Sequence, residues 1–266
     1  VTLSGGTPVA IPTRAENAFR LTGEELREKI TPRTKLLILP FPNNPTGAVM
    51  ERADLEAIAA VLRGTNILVL SDELYAMLTY TGKRHVSIAN IAGMQERTII
   101  VGGFSKAYAM TGWRIGYLAA PKDVAKAIDS FQSHATSNAC SIAQYAAIEA
   151  LSSPESEIEG MVNVFAARRK KMLETIAKID GLSAVEPDGA FYVMLAVNGI
   201  YGKRYAGKTI DGSIAFSDAL LEAEKVATVP GVSFGADDCV RLSYSLSLED
   251  IEEGLGRIAR FVAALE

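Results

Sequence analysis

Three short apolar runs, each ending in a cluster of polar residues, limit the folds open to this chain more than any other feature. Lys35-Leu36-Leu37-Ile38-Leu39 runs into Pro40-Phe41-Pro42-Asn43-Asn44-Pro45-Thr46-Gly47. Asn66-Ile67-Leu68-Val69-Leu70 runs into Ser71-Asp72-Glu73-Leu74-Tyr75, and Thr98-Ile99-Ile100-Val101 passes two glycines into Phe104-Ser105-Lys106. Unbroken runs of leucine and β-branched residues bounded by turn formers are the pattern of buried parallel strands. Between the first two, Arg52 to Leu62 carries Leu55, Ile58, Ala59 and Leu62 at helical spacing with Gly64 beyond, which predicts a crossover helix. The alternation predicts an α/β unit with a mostly parallel sheet flanked by helices. The polar ends of its strands then share one edge, where open α/β sheets bind their ligands.

Asn44, Asp72, Tyr75 and Lys106 are the residues delivered to that edge, and Arg114 follows Lys106 after a glycine-containing turn. Each has an ordinary structural reading. Asn44 before proline is a turn former, Asp72 could cap a helix, Tyr75 could be core, and Lys106 and Arg114 could be solvated charges. Together they form a coherent chemical set. A lysine in such a crevice can be desolvated, which disfavours its charged form and frees the amine to attack carbonyls. A guanidinium is a permanent fork for phosphate. A carboxylate, an amide, a phenol, a lysine and an arginine are what a pyridine aldehyde phosphate needs around it.

The Asn-Pro-Thr-Gly, Ser-Asp-Glu-x-Tyr and Ser-Lys-(x)7-Arg segments, in this order, resemble the class I/II aminotransferases among the fold type I pyridoxal-phosphate enzymes, of the aspartate aminotransferase-like kind. The resemblance extends from Val1 to the C-terminal helix. It implies that Lys106 bonds the aldehyde of pyridoxal 5'-phosphate and shuttles a proton between the substrate α carbon and the cofactor's C4′ carbon. It implies further that Asp72 pairs with the ring nitrogen, that Asn44 and Tyr75 bind the phenolic oxygen, and that Ser105 and Arg114 bind the phosphate. Cys239-Val240-Arg241-Leu242-Ser243-Tyr244-Ser245 resembles the strand whose arginine grips the substrate α-carboxylate, a task suited to a bidentate guanidinium; Asn44 lies on the same substrate side.

The implied activity is transfer of an amino group from an amino acid to a 2-oxo acid by a ping-pong cycle, in a homodimer; the spacing of the cysteines and the broken apolar stretches fit a cytoplasmic protein. Two alternatives share these motifs: a C-S or β-lyase on the same scaffold, and an aminotransferase-like effector-sensing domain of a transcription regulator. Family members begin before the segment that Val1 matches, with an arm, a helix and a glycine-containing loop that cups the cofactor phosphate. The resemblance therefore implies a fragment, lacking also the aromatic that stacks on the cofactor ring. Gly103 stands where some relatives carry a second phosphate-binding hydroxyl.

The rest of the chain changes texture. Arg114 to Ala120 reads as a strand, Lys122 to Phe131 as an amphipathic helix, Ser141 to Leu151 as an alanine-rich helix, and a long helical pattern runs from Pro154 towards Ile179. That pattern carries Arg168-Arg169-Lys170-Lys171, which reads as a solvated helix face. Beyond Gly181 the expectation is a small α+β domain, with strands at 183–186, 191–195, 226–229 and 240–244 and helices at 213–224 and 248–265. Asn198 to Gly212 reads as an irregular surface loop. The expected domains are residues 1–160, the C-terminal part of a large cofactor-binding domain, and residues 161–266. Phe191 and Tyr192 are candidates for the substrate pocket.

Composition narrows the partners. The net charge of -4 gives no electrostatic support for nucleic-acid binding. Two cysteines, Cys140 and Cys239, and two histidines, His85 and His134, form no metal-ligand or disulfide pattern. No apolar stretch reaches the length of a bilayer span before a charge or glycine breaks it, so no membrane partner is expected.

Overall fold

Each of the three apolar runs is a strand: β1 (Leu36–Pro40), β2 (Leu68–Asp72) and β3 (Thr98–Gly103), joined in one sheet by β4 (Gly116–Ala119) in the order β1-β2-β3-β4. The computed structural model describes residues 1–266 and divides into two units, Val1–Pro42 with Ala48–Ile158, and Asn43–Gly47 with Glu159–Glu266. The sheet lies in the first unit. Strands β1, β2 and β3 are parallel, and their register sets Asp72 beside Pro40 on one side and Val101 on the other. The carboxyl ends of β1 and β2 are therefore level, and β3 runs two residues further, to Gly103.

Helix α1 (Gly23–Lys29) starts on a capping box, with Thr22 accepting from the amide of Glu25 and Glu25 reaching back to that of Thr22. Helix α2 (Arg52–Leu62) is the predicted crossover. It buries Leu55, Ile58, Ala59 and Leu62, the four residues whose spacing marked it. They pack with Leu37, Leu39 and Val69 of the sheet and with Ile88, Ile91 and Met94. Full burial of an isoleucine or leucine side chain stabilises by about 1.5–3 kcal/mol, so this stripe fixes α2 on the sheet.

The opposite face differs from the expectation of strands covered on both sides. Leu36 is 40% and Ile38 47% exposed, and all four residues of β4 are exposed. Helix α3 (Lys122–Ala135) runs past the expected Phe131 and buries no residue. Helix α4 (Ser141–Ser152) buries Ala143 and Ala147 while Ile142, Tyr145, Ile148 and Leu151 are exposed. Strand β4 is antiparallel to β3 and begins at Gly116, two residues later than the sequence suggests. Arg114 closes a 3-10 turn at Thr111–Trp113 with φ of 52°, and this left-handed backbone cannot continue an extended strand.

Helix α5 (Glu155–Ile176) carries the chain into the second unit and ends three residues before the predicted Ile179. The second unit holds an antiparallel sheet of β5 (Ser183–Ala184), β6 (Tyr192–Ala196), β9 (Val229–Pro230) and β10 (Cys239–Ser243) in the order β5-β6-β10-β9. Helices α6 (Ser213–Glu224) and α7 (Leu248–Ala263) complete it, with Phe216 and Phe261 in edge-to-face contact. β5 stops before Glu186 and Pro187, which bond Arg169 instead of a strand.

Asn198 to Gly212 is not wholly irregular. It contains a 3-10 turn and a hairpin of β7 (Arg204–Tyr205) and β8 (Lys208–Thr209), and Ile200 and Ile210 are buried. Ala206 and Gly207, with φ of 48° and 79°, form the two-residue turn. Both being positive matches the twist of the hairpin, but Ala-Gly lacks the asparagine that announces such a turn in sequence. No helix of the protein is long and apolar enough to cross a membrane.

Candidate active site

Asp72 is the last residue of β2, and its Oδ1 accepts a hydrogen bond from the amide of Leu74 at 3.2 Å. The amide of Glu73 continues the ladder to Val101 at 2.8 Å, so the turn from Asp72 to Tyr75 is tied to β3. Tyr75 is 7% exposed. Ser105 and Lys106 lie just past the end of β3, half-buried, between the buried side chains of Phe104 and Ala107. The Lys106 amine stands 5.6 Å from the centre of the Tyr75 ring. Phe104 and Met110 pack against Ala147 of α4, which steadies the loop on both sides of Lys106.

Arg114 is exposed, and its guanidinium donates to the carbonyl of Thr111 at 2.8 Å. It borders a depression of about 950 Å³ lined also by Trp113, Gln132, Asn138 and Cys140. In the first unit the structure therefore brings Asp72, Tyr75, Ser105 and Lys106 to one strand edge, while Arg114 is held by its own turn.

In the second unit the structure joins the other two predicted residues. Arg241 of β10 donates to Asn44 Oδ1 at 2.7 Å. The guanidinium carbon lies 4.5 Å from the centre of the Tyr192 ring and 5.3 Å from that of Phe234. A guanidinium stacked on aromatic faces keeps its in-plane N–H groups for acceptors at its rim. The segment bearing Asn44 is itself tied by hydrogen bonds. Asn43 accepts through Oδ1 from the amide and hydroxyl of Thr46 at 3.2 and 2.9 Å, and the amide of Gly47 donates to its carbonyl at 2.9 Å.

Residues 1–258 match the family described as Aminotransferase class I and II. The chain belongs to that family. It is 46% identical over 266 residues to the aspartate aminotransferase of Geobacillus stearothermophilus, covering 99% of this chain and 66% of that protein. It is 44% identical to the aspartate aminotransferase of Bacillus subtilis (strain 168), over 98% of this chain and 66% of that one. Among solved structures, the aspartate aminotransferase of Rhizobium meliloti superposes with a TM-score of 0.95 at 40% identity, covering 98% of this chain and 66% of that one. The chain spans 66% of the length of these relatives. Its sheet of parallel strands with one antiparallel member, followed by a smaller α+β unit, is the fold type I architecture of these aminotransferases.

Two features of this aminotransferase-family chain were not evident in its sequence. Phe234, the second ring against Arg241, lies in a short 3-10 turn without a periodic pattern. Glu73, beside Asp72, is the centre of a half-buried polar cluster. Its carboxylate accepts from Ser71 Oγ at 2.9 Å and Ser87 Oγ at 2.6 Å, and His85 Nε2 lies 3.1 Å away. Burial pushes the Glu73 carboxyl up, but His85 and the Ser87 and Ser71 hydroxyls outweigh it and hold the group below its ordinary value. A Glu beside a strand end and a His ten or so residues on are too common to mark such a cluster.

Proposed function

We propose that this chain carries the catalytic residues of a pyridoxal-phosphate-dependent aminotransferase, which moves an amino group from an amino acid to a 2-oxo acid in two half-reactions. The observation that carries the reading is the Lys106 amine 5.6 Å from the Tyr75 ring centre, at the strand edge that also holds Asp72. The donor set fits the cofactor, for each polar group of a pyridine aldehyde phosphate has a counterpart of the right chemistry among these residues. When bound, the cofactor supplies an aldehyde for covalent attachment and a ring that accepts the electron pair left as the substrate α carbon loses its proton.

Every other task falls to side chains. Lys106 would hold the cofactor through its amine, and that amine, once free, would carry the proton taken from the substrate α carbon. Asp72 holds a proton at the ring nitrogen, with its other duty the single bond to the Leu74 amide. Tyr75 and Asn44 would orient the phenolic oxygen, and Ser105 and Arg114 would hold the phosphate. Arg241 grips the substrate α-carboxylate, its fork set by Asn44 and the two rings.

A cytoplasmic homodimer belongs to the same reading. The unpaired thiols of Cys140 and Cys239 suit a reducing compartment, and the exposed Ile142, Tyr145, Ile148 and Leu151 of α4 suit a polypeptide neighbour. The test is the visible absorption spectrum of the chain with pyridoxal phosphate, before and after a panel of amino acids. A band that shifts with particular donors and yields 2-oxo acid supports the reading. Release of ammonia or thiol in place of a 2-oxo acid, or no band with the chain at its natural length, counts against it.

A further inference from the structure

The basic run on α5 is uneven. Lys170 pairs with Glu174 at 3.8 Å on an exposed face, Lys171 with Glu252 at 2.6 Å, and Arg168 lies over the Phe165 ring. Arg169 is different: its side chain is 14% exposed, and it donates to Glu186 Oε1 at 2.7 Å and to the carbonyl of Pro187 at 3.0 Å. Glu186 is 66% exposed, so that ion pair is screened by solvent and the bond to the Pro187 carbonyl is the stronger constraint.

The turn that Arg169 holds grips another segment in its turn. The amides of Asp188 and Gly189 both donate to the carbonyl of Gly47, at 3.0 and 2.8 Å. A Cβ on Gly47 would come within 2.3 Å of Pro187 Cβ, so the two backbones are in direct contact. Gly47 closes the turn that begins at Asn43, and Asn44 in that turn bonds Arg241. Hydrogen bonds and the short stretches of backbone between them thus connect α5 through Pro187–Gly189 and Gly47 to the guanidinium on β10. We infer that Arg169 is a positioning residue for the carboxylate grip: by fixing the Pro187–Gly189 turn it sets where Asn44 holds Arg241. The inference rests on the aminotransferase reading for the role of Arg241, and on the geometry of the second unit for the rest.

The test compares the full chain with Arg169→Met, Arg169→Lys and Glu186→Gln. Hydrogen exchange at the amides of Asp188 and Gly189 is followed without cofactor, and KM and kcat are measured for an amino-acid donor alongside the borohydride-stable adduct at Lys106. Arg169→Met is expected to speed exchange at both amides and to raise KM about tenfold, the effect of losing the charge-assisted bond to the Pro187 carbonyl, with the Lys106 adduct forming as in the parent. Arg169→Lys keeps the charge and the stem but not the fork, and is expected to fall between the two should Arg169→Met fold poorly. Glu186→Gln keeps the bond to Pro187 and is expected to stay within about twofold of the parent. Parent-like exchange and KM in the Arg169 variants overturn the inference while the aminotransferase reading stands. A parent that forms no adduct and uses no amino acid overturns that reading, and the carboxylate role with it.

Discussion

Asn44 and Arg241 are 197 positions apart in the chain and joined by a 2.7 Å hydrogen bond. The bond takes one of the five N–H groups of the guanidinium and fixes the plane in which the others point. Tyr192 and Phe234 hold the same group by its faces. A carboxylate grip therefore depends on three neighbours as well as on Arg241 itself. Arg241→Lys keeps the charge but neither the fork nor the stacking, and KM for the amino-acid donor is expected to rise by about tenfold or more. Asn44→Ala should raise it less, and the double variant should cost less than the sum, because the two residues act through one bond. Additive effects in steady-state kinetics would show that Asn44 does not orient Arg241.

Lys106 and Asp72 should separate by readout. Lys106→Ala removes the amine proposed to bond the cofactor and carry the proton, so borohydride reduction should leave no adduct by mass spectrometry and turnover should fall by about 10²-fold or more. Asp72→Asn keeps the bond to the Leu74 amide but loses the charge proposed to hold a proton at the ring nitrogen. Its turnover is expected to drop roughly tenfold to hundredfold with a much smaller change in cofactor affinity. Unchanged turnover in either variant contradicts the assigned role.

What sequence made legible was local and periodic. Leu55, Ile58, Ala59 and Leu62 gave α2 to the residue, and the apolar runs with their polar ends located the strand edge that carries Asp72 and Lys106. What it concealed were relations between distant or irregular segments. Nothing near Arg241 announces Asn44, and nothing in Arg168-Arg169-Lys170-Lys171 distinguishes the arginine that bonds Glu186 and Pro187 from its neighbours. The hairpin at Ala206-Gly207 escaped because an alanine took a left-handed backbone that asparagine usually fills. The exposed face of β1 escaped because a run of leucines looks the same whether one side of a strand is covered or both.

Gly47 offers a test of the fold around Asn44. Its φ is 70°, and a Cβ there would lie 2.3 Å from Pro187 Cβ and 2.7 Å from the Gly189 carbonyl oxygen. Gly47→Ala incurs about 1–2 kcal/mol for the left-handed backbone alone, before the collision is counted. Urea denaturation should show at least that loss. Gly64, with φ of 77° and open space around its Cβ position, supplies the contrast. Gly64→Ala should cost the backbone term only, and equal losses at the two positions would mean that the Gly47 segment is not packed against Pro187.

Glu73 predicts how stability responds to acid. Its carboxyl is held below the ordinary value in the folded chain although burial alone would raise it, because His85, Ser87 and Ser71 face the charged form. On acidification the unfolded chain takes up this proton first. The contribution of Glu73 is thus fully present above the ordinary glutamate range near 4.5, and it is lost as pH falls through the lower folded value. Glu73→Gln should cost about 1–3 kcal/mol at neutral pH, where a charge-assisted acceptor becomes a neutral amide. The difference between parent and variant should then shrink as pH falls below the ordinary range. Denaturant midpoints measured from pH 7 down to 3 decide the matter, since a gap independent of pH would mean that the carboxylate charge contributes nothing to holding the turn that carries Asp72 and Tyr75.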